Sequence, residues 1–214
     1  MARRGAEVKR RTGFTRRLVI MAKSPQMGRV KRRLAREIGA GAATRFYRNC
    51  LLHTVLRLAP DPRWRTVIAF DGGRDRAACF APFPGKLELV PQEKGDLGRR
   101  MQCLFNRLPP GPIVIVGSDI PSIRPAHIAE AFRLLAGADA VLGPAPDGGY
   151  WLVGLKRTPR VHSPFAGVRW SGPHALADTL ANLKGRRVVL AARLSDVDTR
   201  DDLQRERRQA ERLI

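Results

Sequence analysis

Short apolar runs alternate with helix-like segments along almost the whole of this 214-residue chain. The clearest run is IVIV at residues 113–116, which Pro112 precedes and Gly117 closes. Continuous apolar runs, as opposed to alternating ones, are typical of strands that are covered on both faces of a parallel sheet. The sequence therefore predicts strands at residues 18–22, 66–70, 87–90, 113–116, 140–143, 150–155 and 188–190.

Helix-like segments fill the intervals between these strands. They are predicted at residues 29–38, 42–58, 97–108, 125–135, 171–183 and 199–213. Pro109, Pro110 and Pro112 end the third of them, because a proline lacks the backbone donor that a helix needs. Strands that alternate with helices in this way indicate an α/β protein, a three-layer sandwich around a mostly parallel central sheet.

The chain is strongly basic, with 40 lysines and arginines against 19 acidic residues and a formal net charge of +21. Seven of the basic residues lie among the first 17 positions, in a stretch without apolar periodicity. We therefore expect residues 1–17 to form a disordered basic tail and residues 18–214 to form one domain. Charge of this size attracts polyanions, so binding of nucleic acid is an alternative function, although no RNA-binding motif supports it.

Several classes of protein are excluded by what the sequence lacks. No apolar run approaches the roughly 20 residues that a membrane-spanning helix needs, and the basic N-terminus lacks the apolar core of a secretory signal. The three cysteines, Cys50, Cys79 and Cys103, form no CxxC pair, so we expect neither a metal site nor a redox role for them. These features lead us to expect a cytoplasmic protein without a membrane span.

In parallel sheets ligands bind beyond the carboxyl ends of the strands, so the segments that follow the predicted strands are the candidate site. The first of these segments, MAKSPQMGRVKRRL from residue 21, brings Lys23, Arg29 and Lys31 close to a turn with Pro25 and Gly28. A strand-to-helix turn with a nearby lysine suits phosphate binding, but the Walker and GxGxxG patterns are absent. The alternative is an ordinary turn with surface cations. In the phosphate-binding interpretation we expect Lys31 in the first turn of the following helix, as a surface lysine that contributes little to the core.

Carboxylates follow two of the predicted strands. Asp119 comes just after the strand at 113–116, and Asp196 and Asp198 alternate along an extended segment after the last strand. If both strands end at the same edge, the three carboxylates can converge and hold a hard divalent cation. The alternatives are that Asp119 caps a turn, or that an arginine neutralises the cluster without a metal.

The third candidate segment runs from residue 143 to residue 154 and reads GPAPDGGYWLVG. Its two adjacent glycines, Gly148 and Gly149, let the backbone approach a ligand closely, while Tyr150 and Trp151 offer stacking surfaces. A hairpin-type turn that enters a buried strand explains the same residues without a ligand.

Together these segments resemble a bacterial family of nucleotide-diphospho-sugar transferase-like proteins with the GT-A fold. Members of this family are often labelled glycosyltransferases of arsenosugar-biosynthesis type. The resemblance covers residues 18–203, with Arg32 where threonine is common. Its motifs correspond here to Met21, Ala22, Lys23, Pro25, Gly28, Val30, Lys31, Arg33 and Leu34; Gln92, Gly95 to Gly98, Arg100 and Met101; Gly117, Asp119 and Pro121; Asp147 to Tyr150; Trp170 and Ser171; and Asp196, Asp198 and Thr199.

The resemblance implies a role for each matched position. Asp119 with Asp196 or Asp198 would hold Mg²⁺ or Mn²⁺, and Lys31 and Asp119 would be catalytic. The expected nucleotide and phosphate contacts are Ala22, Lys23, Pro25, Gly28, Arg29, Lys31, Gly95 and Asp96. The expected acceptor contacts are Asp147, Gly148, Gly149, Tyr150, Trp170 and Ser171. We expect Lys23, Gly28 and Lys31 in particular to line one cleft at the end of the first strand.

The function implied is that of a metal-dependent transferase with a nucleotide-activated donor, first of all a sugar nucleotide. A distant similarity to the 2-phospholactate guanylyltransferases supports a second candidate, nucleotidyl transfer to a small phosphorylated acceptor. A third, from another class, is a polyanion-binding or nucleic-acid-binding protein on the same scaffold. The sequence does not specify the base, the acceptor or the oligomeric state.

Overall fold

The computed structural model describes residues 14–72, Phe80, 87–157 and 163–211 of the chain. Within these residues seven strands form one sheet in the order β3-β2-β1-β4-β6-β5-β7. The strands are β1 (Arg17–Lys23), β2 (Arg65–Asp71), β3 (Glu88–Pro91), β4 (Gly111–Gly117), β5 (Ala140–Pro144), β6 (Tyr150–Arg157) and β7 (Val188–Leu190).

Helices cover both faces of this sheet. They are α1 (Arg32–Ile38), α2 (Ala40–Leu58), α3 (Leu97–Arg107), α4 (Pro125–Gly137), α5 (Ala175–Asn182) and α6 (Arg200–Glu211). Leu18 packs in one buried cluster with residues of α2 and α4, and its neighbour Val19 packs in a second cluster with residues of α3. Because successive side chains of a strand point to opposite faces, both layers draw on the same apolar run. The predicted three-layer α/β sandwich is confirmed.

Six of the seven strands run in the same direction. β1 is parallel to β2 and β4, β2 is parallel to β3, and β5 is parallel to β7, whereas β6 is antiparallel to both β4 and β5. The segments that follow β1, β4 and β7 therefore leave the sheet at one edge, at which β6 begins. We call this the carboxyl edge, and all the predicted site segments lie there.

Most element boundaries lie within about two residues of the prediction; three differences bear on the site or on the domain boundary, and backbone geometry explains two of them. Helix α1 begins at Arg32 and not at residue 29, because Lys31 has a left-handed backbone (φ 45°, ψ 50°) that a right-handed helix cannot include. Helix α5 likewise begins at Ala175 and not at residue 171, since Ser171 has φ 64°. Lys31 thus precedes its helix, and the predicted position in the first turn is wrong.

The third difference concerns the N-terminal boundary. Strand β1 begins at Arg17, whose guanidinium donates to the carbonyl oxygens of Thr15, Pro109 and Pro110 at 3.3 to 3.5 Å. Residue 17 therefore belongs to the domain, while residues 1–13 of the predicted tail lie outside the described residues. None of the helices in the described ranges is both long and apolar enough to cross a membrane.

Two of the three cysteines lie in the described part of the chain. Cys50 is buried in α2, Cys103 is half-buried in α3, and both are free thiols. Cys79 lies outside the described residues.

Candidate active site

A cavity of about 800 Å³ opens at the carboxyl edge, between the segment that follows β1 and the hairpin that joins β5 to β6. Its size is within the range of pockets that hold small-molecule ligands. Most of the predicted site residues line it: Lys23, Arg29, Lys31, Gly95, Asp96, Asp119, Asp147, Gly149, Tyr150, Trp170, Ser171, Asp196 and Asp198.

Four predicted site residues do not line the cavity: Ala22, Pro25, Gly28 and Gly148. Ala22 is fully buried in the core, in register with Phe70 of β2. Gly28 provides a turn with φ 78°. Lys23 and Lys31 line the cavity and Gly28 does not, so the expectation that the three line one cleft is wrong for Gly28. Gly148 has φ 82° and packs on the backbone of Pro173.

The centre of the charged end of the cavity is Lys31. Its ammonium nitrogen lies 2.7 Å from Asp119 Oδ2, 2.7 Å from Asp198 Oδ1 and 3.5 Å from Asp196 Oδ2. We call these three aspartates the acidic triad. Only 4% of the Lys31 side chain is exposed, so the expectation of a surface lysine is wrong. Within the described residues, the cation closest to the triad is this lysine, and the arginine contact from Arg33 Nη1 to Asp198 Oδ2 is longer, at 3.8 Å.

The charges in this cluster perturb one another. Burial alone lowers the pKa of Lys31, but the three carboxylates, Asp119 foremost, more than offset burial and raise the pKa above its usual value. Burial raises the pKa of Asp196 to about 6, against the opposing effect of Lys31 and with a further contribution from Asp119 and Asp198. One ammonium among three carboxylates therefore leaves an excess of negative charge, which favours the binding of a further cation.

Two elements bring the triad together. Asp119 follows β4, while Asp196 and Asp198 follow β7, and the two strands end at the same edge of the sheet. The second segment is fixed by the start of α6, where Asp202 Oδ2 accepts from the backbone nitrogens of Asp198 (3.1 Å) and Thr199 (2.9 Å). The Thr199 hydroxyl in turn accepts from the backbone of Asp202 at 3.2 Å, as expected of a helix cap.

The triad fits a hard divalent cation. One carboxylate oxygen from each of its aspartates lies within 4.8 Å of the other two. The side chains are 29%, 37% and 41% exposed, so the oxygens are reachable from the cavity. Carboxylate oxygens are the ligands that Mg²⁺ and Mn²⁺ prefer, and no thiolate or imidazole that would favour a softer metal belongs to the triad.

Tyr47 is a buried polar residue at this site that the sequence interpretation missed. Its hydroxyl accepts from the backbone nitrogen of Lys23 at 2.8 Å and shares a hydrogen bond with Ser118 Oγ at 3.0 Å. Burial raises the pKa of Tyr47 to about 12, so the phenol is neutral at pH 7. It ties the segment after β1 to the end of β4, next to Asp119. The sequence feature that could have identified it is a tyrosine among the apolar positions of the helix predicted at residues 42–58.

Gln92 and Arg100 belong to the family motif, but the sequence predicted no role for either side chain. The Gln92 amide nitrogen donates to the carbonyl oxygens of Ala22 (3.0 Å) and Ala69 (2.6 Å), which connects β1 and β2. Arg100 donates to the Gln92 side-chain oxygen and lies 3.6 Å from Asp71 Oδ2. Both residues line the cavity, where Arg100 adds a fixed positive charge.

The neighbouring Gly95 and Asp96 have a local structural role. Asp96 is the N-cap of α3, and its Oδ1 accepts from the backbone nitrogen of Arg99 at 2.7 Å. Gly95 precedes it with φ 126°, a value that favours glycine. Both residues line the cavity, so the expected nucleotide contacts remain a prediction.

Aromatic side chains line another part of the cavity wall, which we call the aromatic end. The rings of Tyr150 and Trp170 meet edge to face with centroids 6.2 Å apart, and Trp170 also packs against Phe165 at 6.3 Å. Asp147 Oδ1 accepts from the backbone nitrogen of Gly149 at 2.9 Å and thereby closes the turn before β6. The buried Nε1 of Trp170 has no hydrogen-bond partner within the described ranges. This end therefore offers aromatic surface, while the Trp170 donor is enclosed by protein.

Solved structures with the same fold include transferases. A protein from Desulfovibrio desulfuricans G20 assigned as a nucleotide-diphospho-sugar transferase is 29% identical and aligns with a TM-score of 0.79 over 88% of this chain and 84% of its own. A nucleotidyl transferase from Methanothermobacter thermautotrophicus is 16% identical, with a TM-score of 0.63 over 94% of this chain and 100% of its own. The 4-diphosphocytidyl-2C-methyl-D-erythritol synthase from Anaerococcus prevotii is 9% identical, with a TM-score of 0.59 over 92% and 98% of the two chains. At such low identities the last two likenesses concern the fold alone.

The sequence itself matches one family. Residues 54–172, which are more than half of the 214 residues, match the family described as "uncharacterized protein conserved in bacteria (DUF2064)". A search of the curated proteins finds no match to this sequence. The matched range includes Asp119, the hairpin before β6 and Trp170, but it ends before Asp196 and Asp198.

Proposed function

We propose that this chain, which belongs to the DUF2064 family, is a divalent-metal-dependent transferase with a nucleotide-activated donor, first of all a sugar nucleotide. The observation that carries the proposal is the meeting of Lys31 with the acidic triad on the wall of an 800 Å³ cavity. The same cavity then contains carboxylates that would bind a metal, cations that would bind phosphates, and aromatic rings that would contact a further substrate. The similarity to a structure assigned as a nucleotide-diphospho-sugar transferase supports the choice of donor.

The charged end would bind the phosphates of the donor. Asp119, Asp196 and Asp198 would hold Mg²⁺ or Mn²⁺, which when bound would stabilise the charge of the departing phosphates. Lys31 would bind a phosphate oxygen beside the triad, and Lys23 and Arg29, exposed at the cavity wall, would add positive charge. Stabilisation of the leaving group by fixed charges is the main contribution that such a site can make to catalysis.

The aromatic end would bind the acceptor. Tyr150 and Trp170 line the cavity and would supply aromatic surface for a substrate. Asp147 and Ser171 add a carboxylate and a hydroxyl to the same wall. A polar molecule with an apolar face, such as a sugar or a small aglycone, suits this combination.

Nucleotidyl transfer is the second candidate, and the positive charge near the triad favours it. Lys23, Arg29, Lys31 and Arg33 all line the cavity, so several cations are available for a third phosphate. The two reactions break different bonds. In glycosyl transfer an acceptor hydroxyl attacks the anomeric carbon, and the nucleoside diphosphate leaves. In nucleotidyl transfer an acceptor oxygen attacks the α-phosphorus of a nucleoside triphosphate, and pyrophosphate leaves.

A thermal-shift screen of nucleoside triphosphates and sugar nucleotides, each with and without Mg²⁺ or Mn²⁺, tests the proposal. A ligand at 100 times its dissociation constant stabilises the folded state by about 2.7 kcal/mol, which is easily detected as a rise in Tm. We expect a rise that needs both metal and nucleotide. The released product, nucleoside diphosphate or pyrophosphate, then distinguishes the two reactions.

Asp119→Asn should abolish the metal dependence of nucleotide binding, with a loss of affinity of at least about a hundredfold. The matched control is Asp201→Asn, an exposed aspartate in the first turn of α6 outside the triad, which should bind as the wild type does. Full metal-dependent binding by Asp119→Asn would contradict the proposal. Salt-sensitive binding of nucleic acid that survives deletion of residues 1–13, with no response to nucleotides, would favour the polyanion alternative instead.

A further inference from the structure

We infer that the Lys31 ammonium is an exchangeable counter-ion, which fills the acidic triad in the free protein and moves to a substrate phosphate when a divalent cation binds. The inference rests on the proposed function and adds to it the coupling between metal and nucleotide. It concerns Lys31 itself, which the proposed function treats only as a phosphate ligand.

The first step is the position of the ammonium. Its nitrogen is 2.7 Å from oxygens of Asp119 and Asp198 and 3.5 Å from an oxygen of Asp196. A cation that binds all three aspartates must lie between them, and the ammonium already occupies that place. A singly charged and a doubly charged cation in contact repel strongly in a partly buried site. Lys31 and a metal ion are therefore alternative occupants of the triad.

The second step is where Lys31 can go. Its backbone is fixed at the start of α1, where its carbonyl oxygen accepts from the nitrogen of Ala35 at 2.8 Å. Only the four-carbon side chain can move, and it lies on the wall of the cavity. An ammonium that is displaced there needs another anion, because a desolvated charge without a partner is costly. A phosphate in the cavity provides that anion.

The third step is the coupling that follows. A metal that binds alone must displace Lys31 and leave its ammonium without a partner. A nucleotide that binds alone attracts Lys31 and leaves three carboxylates un-neutralised beside its phosphates. When both bind, the metal neutralises the triad and the phosphate neutralises Lys31. We therefore expect each to strengthen the binding of the other by at least about tenfold, and the two effects must be equal.

Titration of Mn²⁺ into nucleotide-free protein, followed by the electron paramagnetic resonance signal of the free ion, tests the first step. Lys31→Met removes the resident ammonium, so we expect it to bind Mn²⁺ at least about tenfold more tightly than the wild type. Arg33→Met is the matched control, because it removes the same charge from a side chain that is 68% exposed and 3.8 Å from Asp198. Its Mn²⁺ affinity should change by less than about threefold.

A second measurement needs no variant and so does not depend on the folding of Lys31→Met. Acetylation of lysines, read by mass spectrometry, should be slow at Lys31 in the free wild-type protein, because its side chain is 4% exposed. Saturating Mg²⁺ should speed it several-fold, and added pyrophosphate, as a probe for the phosphates, should slow it again. The exposed Lys94 is the internal control and should not respond to either addition.

The outcomes separate the exchange from the proposed function. Equal Mn²⁺ affinity in the wild type and Lys31→Met, or continued protection of Lys31 in metal-saturated protein, would overturn the exchange and leave the proposed function standing. If neither protein binds Mn²⁺ with or without pyrophosphate, both the exchange and the metal-dependent function are wrong.

Discussion

The two ends of the cavity are built in opposite ways. At the charged end, Lys31 and the acidic triad come from three separate segments, and their polar groups are neutralised mainly by one another. At the aromatic end, Tyr150 and Trp170 rest on other rings, and Asp147 closes a turn within its own segment. The charged end therefore has an arrangement that a ligand can change, whereas the aromatic end is held by ring packing that is already present in the free protein.

This difference separates residues that determine binding from residues that determine folding. The three carboxylates of the charged end cluster like charges that Lys31 offsets only in part, so a bound cation should stabilise the protein. Groups of the aromatic end bury apolar surface and fix a hairpin, so they raise stability whether or not a ligand is present. Substitutions at the two ends should consequently affect different measurements.

The largest effect on stability is expected at the aromatic end, from Gly148→Ala. A Cβ at this position would lie 2.3 Å from the carbonyl oxygen of Pro173, which is backbone and cannot rotate away, and the φ of 82° disfavours alanine further. Overpacking and the left-handed backbone together should cost about 3 kcal/mol, or a fall in Tm of roughly 6–12 °C. Thermal unfolding followed by circular dichroism measures this.

Gly172→Ala is the matched control for this substitution. It lies in the segment on which Gly148 packs, but its Cβ would meet nothing within 4 Å and its φ is not positive. It should change Tm by less than about 2 °C. If both variants melt alike, the hairpin is not held by its contact with Pro173, and the contrast between the two ends fails on the aromatic side.

The sequence predicts the fold and the meeting place of the site well, for a physical reason. Strands that are buried on both faces must be continuously apolar, so each of the seven runs marked a strand to within about two residues, as for β4 at 111–117. Since parallel strands end at one edge, the positions of Asp119, Asp196 and Asp198 after their strands predicted that the carboxylates can converge if both strands end at the same edge, which they do.

The burial of Lys31 could not be predicted in the same way. A lysine near a turn is ordinarily exposed, and nothing local distinguishes this one. Its burial depends on a left-handed backbone and on a partner, Asp198, that is 167 positions away in the sequence. Gly28 shows the same limit, because a glycine in a turn can face a ligand or solvent, and only the three-dimensional course of the chain decides which.

A smaller effect is expected at the charged end, from pH in metal-free buffer. The pKa of Asp196 is raised from 3.8 to about 6, so between these values the folded protein keeps a proton that the unfolded chain has lost. The free energy of unfolding should therefore fall as pH rises from about 4 to about 6. If Asp196 were completely buried, the free energy of unfolding would fall by about 3 kcal/mol over this range. Because the side chain is partly exposed, solvent screening should reduce this fall to about 1 kcal/mol.

Asp196→Asn isolates this contribution, because it removes the titrating group and keeps the shape. Urea unfolding at several pH values should show that the stability of the wild type, relative to the variant, declines across this range. A wild type and a variant with parallel pH profiles would show that Asp196 titrates normally. That result would mean that the negative charge of the triad is already balanced in the free protein, and the proposed difference between the two ends of the cavity would be wrong.

The smallest effect is expected from Ser171→Gly, which tests whether the aromatic end is as relaxed as its packing suggests. Ser171 and Lys31 are the two non-glycine residues with positive φ within the described ranges, and both line the cavity. Glycine removes a left-handed cost of about 1–2 kcal/mol but adds about 0.5–1 kcal/mol of unfolded-state entropy, so we expect a net gain of about 0.5 kcal/mol. Tm should rise by about 1–2 °C, whereas Ser171→Ala, which keeps the strained backbone, should melt as the wild type does. A Ser171→Gly protein that melts below the wild type would show that the serine side chain stabilises the segment. A variant that gains stability but loses substrate affinity would show that the aromatic end, like the charged end, holds a strained residue for binding.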